Sequence, residues 1–334
     1  MTTFSVLVLV VCTALAFDFV NGFHDTANAI ATVVSTGVLK ARTAVIMAAF
    51  LNVAGAFVGT AVATTIGKDI LDPAIVTQQI VLAALLGAIG WNLITWYFGL
   101  PSSSSHALVG GLVGAGWIAA GTDHIQRAGL VKVVTALIVS PFFGFAAAFL
   151  LMVATYWITR RTAVARINRI FRRLQLLSSA FMAFSHGTND AQKTMGVITM
   201  ALVAYAGHPD PNGKFPVPTW VVIACAVAMG LGTAVGGWRI IRTMGTKIFK
   251  LRPIHGFCAE TGAALVLQVA SHFGLPTSTT HCITSAIMGA GSTTRLSAVS
   301  WGVTRRILVA WILTIPLAAA MSAVIFHLFQ RIGF

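Results

Sequence analysis

The sequence predicts an all-α polytopic membrane protein made of two inverted repeats, with broken helices or hairpins and about 10–12 membrane helices. Three observations lead to this class. Apolar residues make up 57% of the 334 residues and charged residues only 9%, with a mean hydropathy of +0.87. Apolar runs long enough to cross a bilayer follow one another with short polar joints, leaving no room for a soluble domain. Two polar motifs of the first half recur in the second.

Residues 2–20 form an apolar helix, interrupted at 21–25 and resuming to 38. The helix lacks the basic start and small-residue cleavage site of a signal peptide, so a retained first span is expected. Residues 43–66 are a second span with Asn52 in its middle, 68–77 a polar loop and 78–98 a third span. Residues 99–121 open with a Ser-rich turn and continue as a Gly-rich helix, as a broken span or a hairpin would. Residues 130–159 are a long span containing Pro141.

Residues 160–173 hold six arginines and no acid. They mark a basic linker, 160–175, between repeats 1–159 and 176–334. Beyond it lie a span at 176–205, interrupted at 184–196, a polar loop at 208–218 and a span at 219–237. Five more basic residues lie within 239–252. Residues 256–273 carry Glu260, the only glutamate, 274–291 repeat the hydroxyl-rich turn, and 305–329 are the last span. This gives about ten crossings, five on each side of the linker, so the halves run in opposite directions.

Net charge is +14, from 22 Lys and Arg against 8 acids. Nucleic acid is not the expected partner, because the basic residues cluster between apolar spans. The partner is a lipid bilayer. With the linker in the cytoplasm, Lys40, Arg42, the 239–252 cluster, Arg295, Arg305 and Arg306 are also inside, as the positive-inside rule asks of a cell-membrane protein. Lys68, Arg127, Lys132, Lys214 and Arg331 fall outside. The cysteines Cys12, Cys225, Cys258 and Cys282 lie in apolar runs without metal-ligand spacing and are read as packing residues.

The chemistry sits in the duplicated motifs. G-L-P-S-S-S-S-H at 99–106 matches G-L-P-T-S-T-T-H at 274–281. Proline favours a helix start just after it, and the free N–H groups of a first turn attract anions. The hydroxyls of Ser102, Ser103, Ser104, Ser105, Thr277, Ser278, Thr279 and Thr280 add donors. One copy is explained by capping and packing. Two copies at matched positions suit a neutral cage for a tetrahedral oxyanion.

The second pair is N-G-F-H-D-T-A-N at 21–28 and F-S-H-G-T-N-D-A-Q-K-T-M-G at 184–196. Charges at membrane depth are costly and face a cavity or a partner. Asp25 and Asp190 suit a cation or a proton, and they repel a bare anion, so a cation must accompany it. Asn28, Asn189 and Lys193 stand beside them as further anion ligands. His24, His106, His186 and His281 flank the motifs as orienting or proton-relay groups. Asn52 and Glu260 are further coupling candidates.

These motifs, with the basic linker and G-F-C-A-E at 256–260, resemble the inorganic phosphate transporter (PiT) family across essentially the whole chain. The resemblance implies symport of inorganic phosphate with Na⁺ or H⁺, no cofactor, and an inverted-repeat fold similar to an elevator-type homodimer. It implies a cation and phosphate centre at Asp25, Asn28 and Asp190, a key Ser in each turn at Ser103 and Ser278, and a transport role for Glu260. Asn52 is taken as Glu260's counterpart in the first repeat. Sodium-coupled relatives tend to carry N-D-x-A-N in both halves, whereas here Lys193 aligns with Asn28. A fixed ammonium beside Asp190 points to proton coupling.

Rival readings are another oxyanion such as sulfate or arsenate, and a divalent metal–phosphate complex held by Asp25 and Asp190. From other classes come an intramembrane hydrolase and a non-transporting sensor. Duplication of the hydroxyl turn argues against a single activated nucleophile, and the lack of a soluble output domain argues against a sensor.

Overall fold

Helix α1 (Thr3–Ser35) runs for 33 residues, roughly 50 Å at the α-helical rise and enough to cross a bilayer with tilt. The computed structural model describes residues 3–207 and 215–334, so residues 208–214 of the expected polar loop, with Lys214, lie outside the described residues. Helix α1 is continuous through 21–25, where the sequence suggests a break. The motif contains no proline. Gly22 alone weakens a helix by only about 1 kcal/mol, and its missing side chain admits the backbone of the helix packed against it, at Met229 and Gly232.

The same correction applies in the second half. Helix α7 (Val164–Ala206) runs unbroken for 43 residues through 184–196. Gly187 likewise serves close approach, against the backbone of Asn52. Helix α7 also absorbs most of the basic linker. Only residues 160–163 lie outside helix, because Arg is a good helix former and neither Gly nor Pro interrupts the run.

The breaks fall elsewhere. Helix α2 (Ala41–Ala56) and helix α3 (Ala61–Lys68) meet at 73°. The joint holds Gly59 at φ 79°, a left-handed conformation that glycine adopts freely. Helix α8 (Thr219–Val235) meets α9 (Trp238–Arg242) and its π-helical extension Thr243–Lys247 at 60°, with Gly236 at φ 78°. The segment read from sequence as a single span at 43–66 is therefore bent at a glycine, the span at 219–237 is helical to Val235 with the bend at its end, and part of the 239–252 basic cluster is helical.

Helices α4 (Gln78–Tyr97) and α10 (Pro253–His272) are each 20 residues long. Each ends on a left-handed glycine, Gly99 at φ 63° and Gly274 at φ 64°. Five residues later the chain re-enters helix as α5 (Ser104–Ala120) and α11 (Thr279–Ser292). The start is later than the prolines alone suggest, because Ser103 and Ser278 provide the N-caps. Helices α6 (Arg127–Thr159) and α12 (Trp301–Arg331) close the halves, with Pro141 and Pro316 inside them.

Packing follows one rule among the described residues. Helix α1 lies on α8, α4 and α9, and α7 lies on α2, α10 and α3. Helix α5 packs on α4 and α12, and α11 packs on α10 and α6. Shifting every helix number by six maps each of these contacts onto another. The closing helix of each half thus covers the hydroxyl turn of the other.

By length and hydropathy, α1, α4, α6 and α12 can each cross a membrane, and the two bent pairs raise that number to six. Helices α5 and α11 are shorter, and α7 and α10 carry polar side chains of the interior. Outward faces such as Ile138, Phe142, Phe143 and Leu150 of α6 are apolar and exposed, as lipid requires.

Two large apolar cores divide the interior, beside a small cluster of Met152, Phe171, Ile254 and Cys258. One large core gathers Phe17, Leu82, Leu108, Met195 and Met229, and the other Ile30, Met182, Ile240 and Ile283. Along α1 and α7 the polar motifs fall between these cores.

Candidate functional site

Ser103 and Ser278 define where α5 and α11 begin. Each hydroxyl oxygen accepts from a backbone N–H at 3.2 Å, that of His106 in one case and His281 in the other. A capping hydroxyl keeps its own O–H free to donate. The next residues, Ser104, Ser105, Thr279 and Thr280, occupy the first turns and are buried against α1 and α7.

Three of those four hydroxyls donate to carboxylates. Ser104 Oγ and Thr280 Oγ1 each lie 3.3 Å from Asp25 oxygens, and Thr279 Oγ1 lies 2.9 Å from Asp190 Oδ2. Asn28 Nδ2 donates to Thr280 Oγ1 at 2.9 Å and to Thr279 Oγ1 at 3.2 Å. The fourth hydroxyl, Ser105, donates to the Thr277 carbonyl at 3.2 Å, so the two turns touch. Asn189 Nδ2 donates to Thr277 Oγ1 at 3.2 Å and to Ser271 Oγ at 2.9 Å.

Lys193 is the only lysine buried among the described residues. Its ammonium donates to Asp190 Oδ1, to Ser105 Oγ at 2.5 Å and to the Thr277 carbonyl at 3.0 Å. Three donors meet three acceptors, so the ammonium is satisfied. It ties the acid of α7 to both hydroxyl turns at once.

Asp25 has no such partner. Its Oδ1 lies 2.6 Å from Nδ1 of its neighbour His24, whose Nε2 is 3.2 Å from Thr95 Oγ1. Ser102 joins that group, donating to Thr95 Oγ1 at 2.7 Å. His186 Nε2 lies 3.1 Å from Asp190 Oδ2 but out of line for a hydrogen bond. Ligand atoms of Asp25, His186 and Asp190 all fall within 4.8 Å of one another.

Two carboxylates and an imidazole form a mixed O/N set that a divalent cation accepts. The side-chain oxygens of Asn28 and Asn189, beside the same acids, are buried without hydrogen-bond partners, and suit a cation's remaining coordination.

His106 and His281 meet as a tilted pair, with ring centroids 4.4 Å apart and planes 35° apart. His281 stacks on Trp311 at 3.8 Å, and Trp311 Nε1 donates to the Pro101 carbonyl at 2.9 Å. These rings hold the two turns together from behind.

Glu260 lies apart from this centre. It accepts from Thr32 at 2.5 Å, from Gln175 at 3.1 Å and from Ser178, and it is fully buried. Asn52 is not its counterpart. Asn52 stands on α2 and Glu260 on α10, and the residue as far before Gly99 as Glu260 is before Gly274 is the packed Leu85. Instead Asn52 Oδ1 lies 3.0 Å from His186 Nδ1 while its amide donates to Thr233 at 2.8 Å, so it orients His186.

Sequence reading missed Thr32, Thr95, Gln175, Ser178, Thr233 and Trp311, whose roles exist only in the packed structure. It also missed Asp18, which carried a readable signal: an acid in an apolar run, two helical turns before Asp25.

Residues 21–322 match the family model for the phosphate transporter family. The chain is 48% identical to a probable low-affinity inorganic phosphate transporter of Bacillus subtilis, covering 97% of each chain. It is 51% identical to a Rhizobium meliloti protein of the same description, over 96% of this chain and 95% of that one. A solved structure described as the sodium-dependent phosphate transporter superposes with a TM-score of 0.88 at 25% identity, covering 98% of this chain and 100% of that one. A family match over residues 21–322, with relatives about half identical over nearly the whole length, shows that the chain belongs to the phosphate transporter family.

Proposed function

We propose that this protein imports inorganic phosphate across the cell membrane by symport with protons, as a multi-pass protein whose basic segment 160–173 faces the cytoplasm. Its helices α1–α6 and α7–α12 act as two inverted repeats, a reading supported by the six-helix shift in the packing. Phosphate binds between the first turns of α5 and α11, with Asn28 and Asn189 beside it.

The donor arrangement supports an obligatory link between cation and anion. Ser104, Thr279 and Thr280 spend their O–H donors on Asp25 and Asp190. A cation or proton on those acids releases the hydroxyls, which then donate to phosphate oxygens. Without the cation, the acids both hold the donors and repel the anion.

The single observation that carries proton coupling is Lys193. It stands where the first motif has Asn28, it is ion-paired with Asp190, and all three of its donors are used. A covalently attached cation fills a place that a sodium ion would otherwise take. Wild-type proteoliposomes given radiolabelled phosphate are expected to accumulate it under an inward proton gradient without sodium. Uptake that needs sodium and ignores the pH gradient would overturn the reading.

A second reading has its own observation. The Asp25, His186 and Asp190 cluster suits a divalent ion travelling with phosphate as one complex. Uptake that rises with Mg²⁺ or Ca²⁺, with metal and phosphate entering together, would favour it over the free anion.

A further inference from the structure

Four carboxylates are buried among the described residues: Asp18, Asp25, Asp190 and Glu260. Asp25 and Asp190 belong to the site, and Glu260 has three donors. Asp18 is the one left unexplained. It lies on the face of α1 that carries Asn21, Asp25, Asn28 and Thr32, all of them buried.

Its surroundings are incomplete in a specific way. Oδ1 accepts from Thr194 Oγ1 of α7 at 2.9 Å. Oδ2 is buried with no hydrogen-bond partner, and so is Oδ1 of Asn21, one helical turn on and adjacent on the helix surface. A carboxylate oxygen and an amide oxygen are both acceptors, so the pair lacks a donor or a cation.

The one further donor at hand is weak: the Cys225 thiol of α8 hydrogen-bonds to Asp18, and a neutral S–H does not balance a charge. From α7, Asp190 and Lys193 act on Asp18 only through space. On α1 itself the next acid is Asp25, two turns away. The three N–H donors of Lys193 go to Asp190, Ser105 and Thr277, and none is left for Asp18. An ionised carboxylate sealed from water without a cation is strongly disfavoured.

We propose that Asp18 is a second coupling group, which holds a transported proton on Oδ2 and donates it in a hydrogen bond to Oδ1 of Asn21. This rests on the proton-symport reading and extends it to a position outside the phosphate centre. The step is a simple protonation: an O–H bond forms with a proton from the outer side and breaks when the site opens inward. No electron transfer is involved.

Asp18→Asn is the decisive variant, because its amide accepts from Thr194 and donates to Asn21 as the protonated acid would. Two measurements read it. Infrared difference spectra of wild type against Asp18→Asn are expected to show the C=O stretch of a protonated carboxyl, lost in the variant. Carboxylate bands in its place would overturn the proposal. In proteoliposomes, Asp18→Asn is expected to retain phosphate–phosphate exchange and to move one proton fewer per phosphate. An unchanged proton-to-phosphate ratio would overturn it.

If Asp18→Asn does not fold, Asp18→Glu is expected to shift the carboxyl band while keeping the ratio, and a band that does not move counts against Asp18. Wild-type vesicles that take up no phosphate at all would defeat the symport reading, whereas the infrared band still decides whether Asp18 holds a proton.

Discussion

Asp25 on α1 and Asp190 on α7 occupy matching places in matching motifs, yet their electrostatic surroundings differ. Asp190 is held by Lys193, three residues on. Asp25 has only its neighbour His24 and two hydroxyl donors, Ser104 and Thr280. The backbone framework around them is the same: a long unbroken helix, a close-packing glycine, and the hydroxyl turn of the same half. The asymmetry lies in the side chains beside the acids, Asn28 against Lys193 and His24 against Asn189. In the symport proposed above, one acid carries its own cation, the other acquires one, and coupling acts chiefly at Asp25.

The largest expected effect separates the two acids. Asp190→Asn leaves a buried ammonium without its counter-charge, a loss of about 3–5 kcal/mol, and a large drop in thermal unfolding temperature in detergent is expected. Asp25→Asn is expected to stay close to wild type in stability while phosphate uptake falls to background. The double variant Asp190→Asn with Lys193→Asn is expected to recover part of the lost stability, since paired residues couple by about 0.5–3 kcal/mol.

A smaller effect tests where the halves agree. Gly22 meets the backbone of α8, and Gly187 meets the backbone of α2. Alanine at either position overpacks a helix contact, at about 1–3 kcal/mol. Similar losses of stability from Gly22→Ala and Gly187→Ala would uphold the shared framework, and a loss at only one of them would break it.

The third test compares Glu260 with Leu85. Leu85→Ala empties a packed position and is expected to cost about 2–5 kcal/mol. Glu260→Gln keeps one acceptor oxygen, and the Ser178 hydroxyl can turn to accept from the new amide. Its expected cost is about 0.5–1.5 kcal/mol, read by the same unfolding assay. A larger loss at Glu260 than at Leu85 would mean that its charge, rather than its hydrogen bonds, matters to the fold.

The hydroxyl turns were legible because Gly and Pro are strong local signals, and both copies carry them at the same spacing. The acids were legible as charges in apolar surroundings. The breaks expected at 21–25 and 184–196 failed for the opposite reason. Asn, His and Asp do not end a helix when the packed interior supplies partners, and Gly22 and Gly187 are there for close approach. The bends after α2 and α8 rest on Gly59 and Gly236, where the apolar runs masked the turn. The partners of Glu260 come from α1 and α7, so nothing in the local sequence announces them. Asn52 was matched to Glu260 through the family resemblance, and helix order separates them.

In the proposed mechanism Lys193 stands in place of a transported sodium ion. The direct test is a sodium titration of phosphate uptake, run side by side in proteoliposomes of wild type and Lys193→Asn at a fixed inward proton gradient. Wild type is expected to give a flat response, and Lys193→Asn to show reduced uptake that rises with sodium. Uptake by wild type that climbs with sodium, or a variant that matches wild type throughout, would contradict the account.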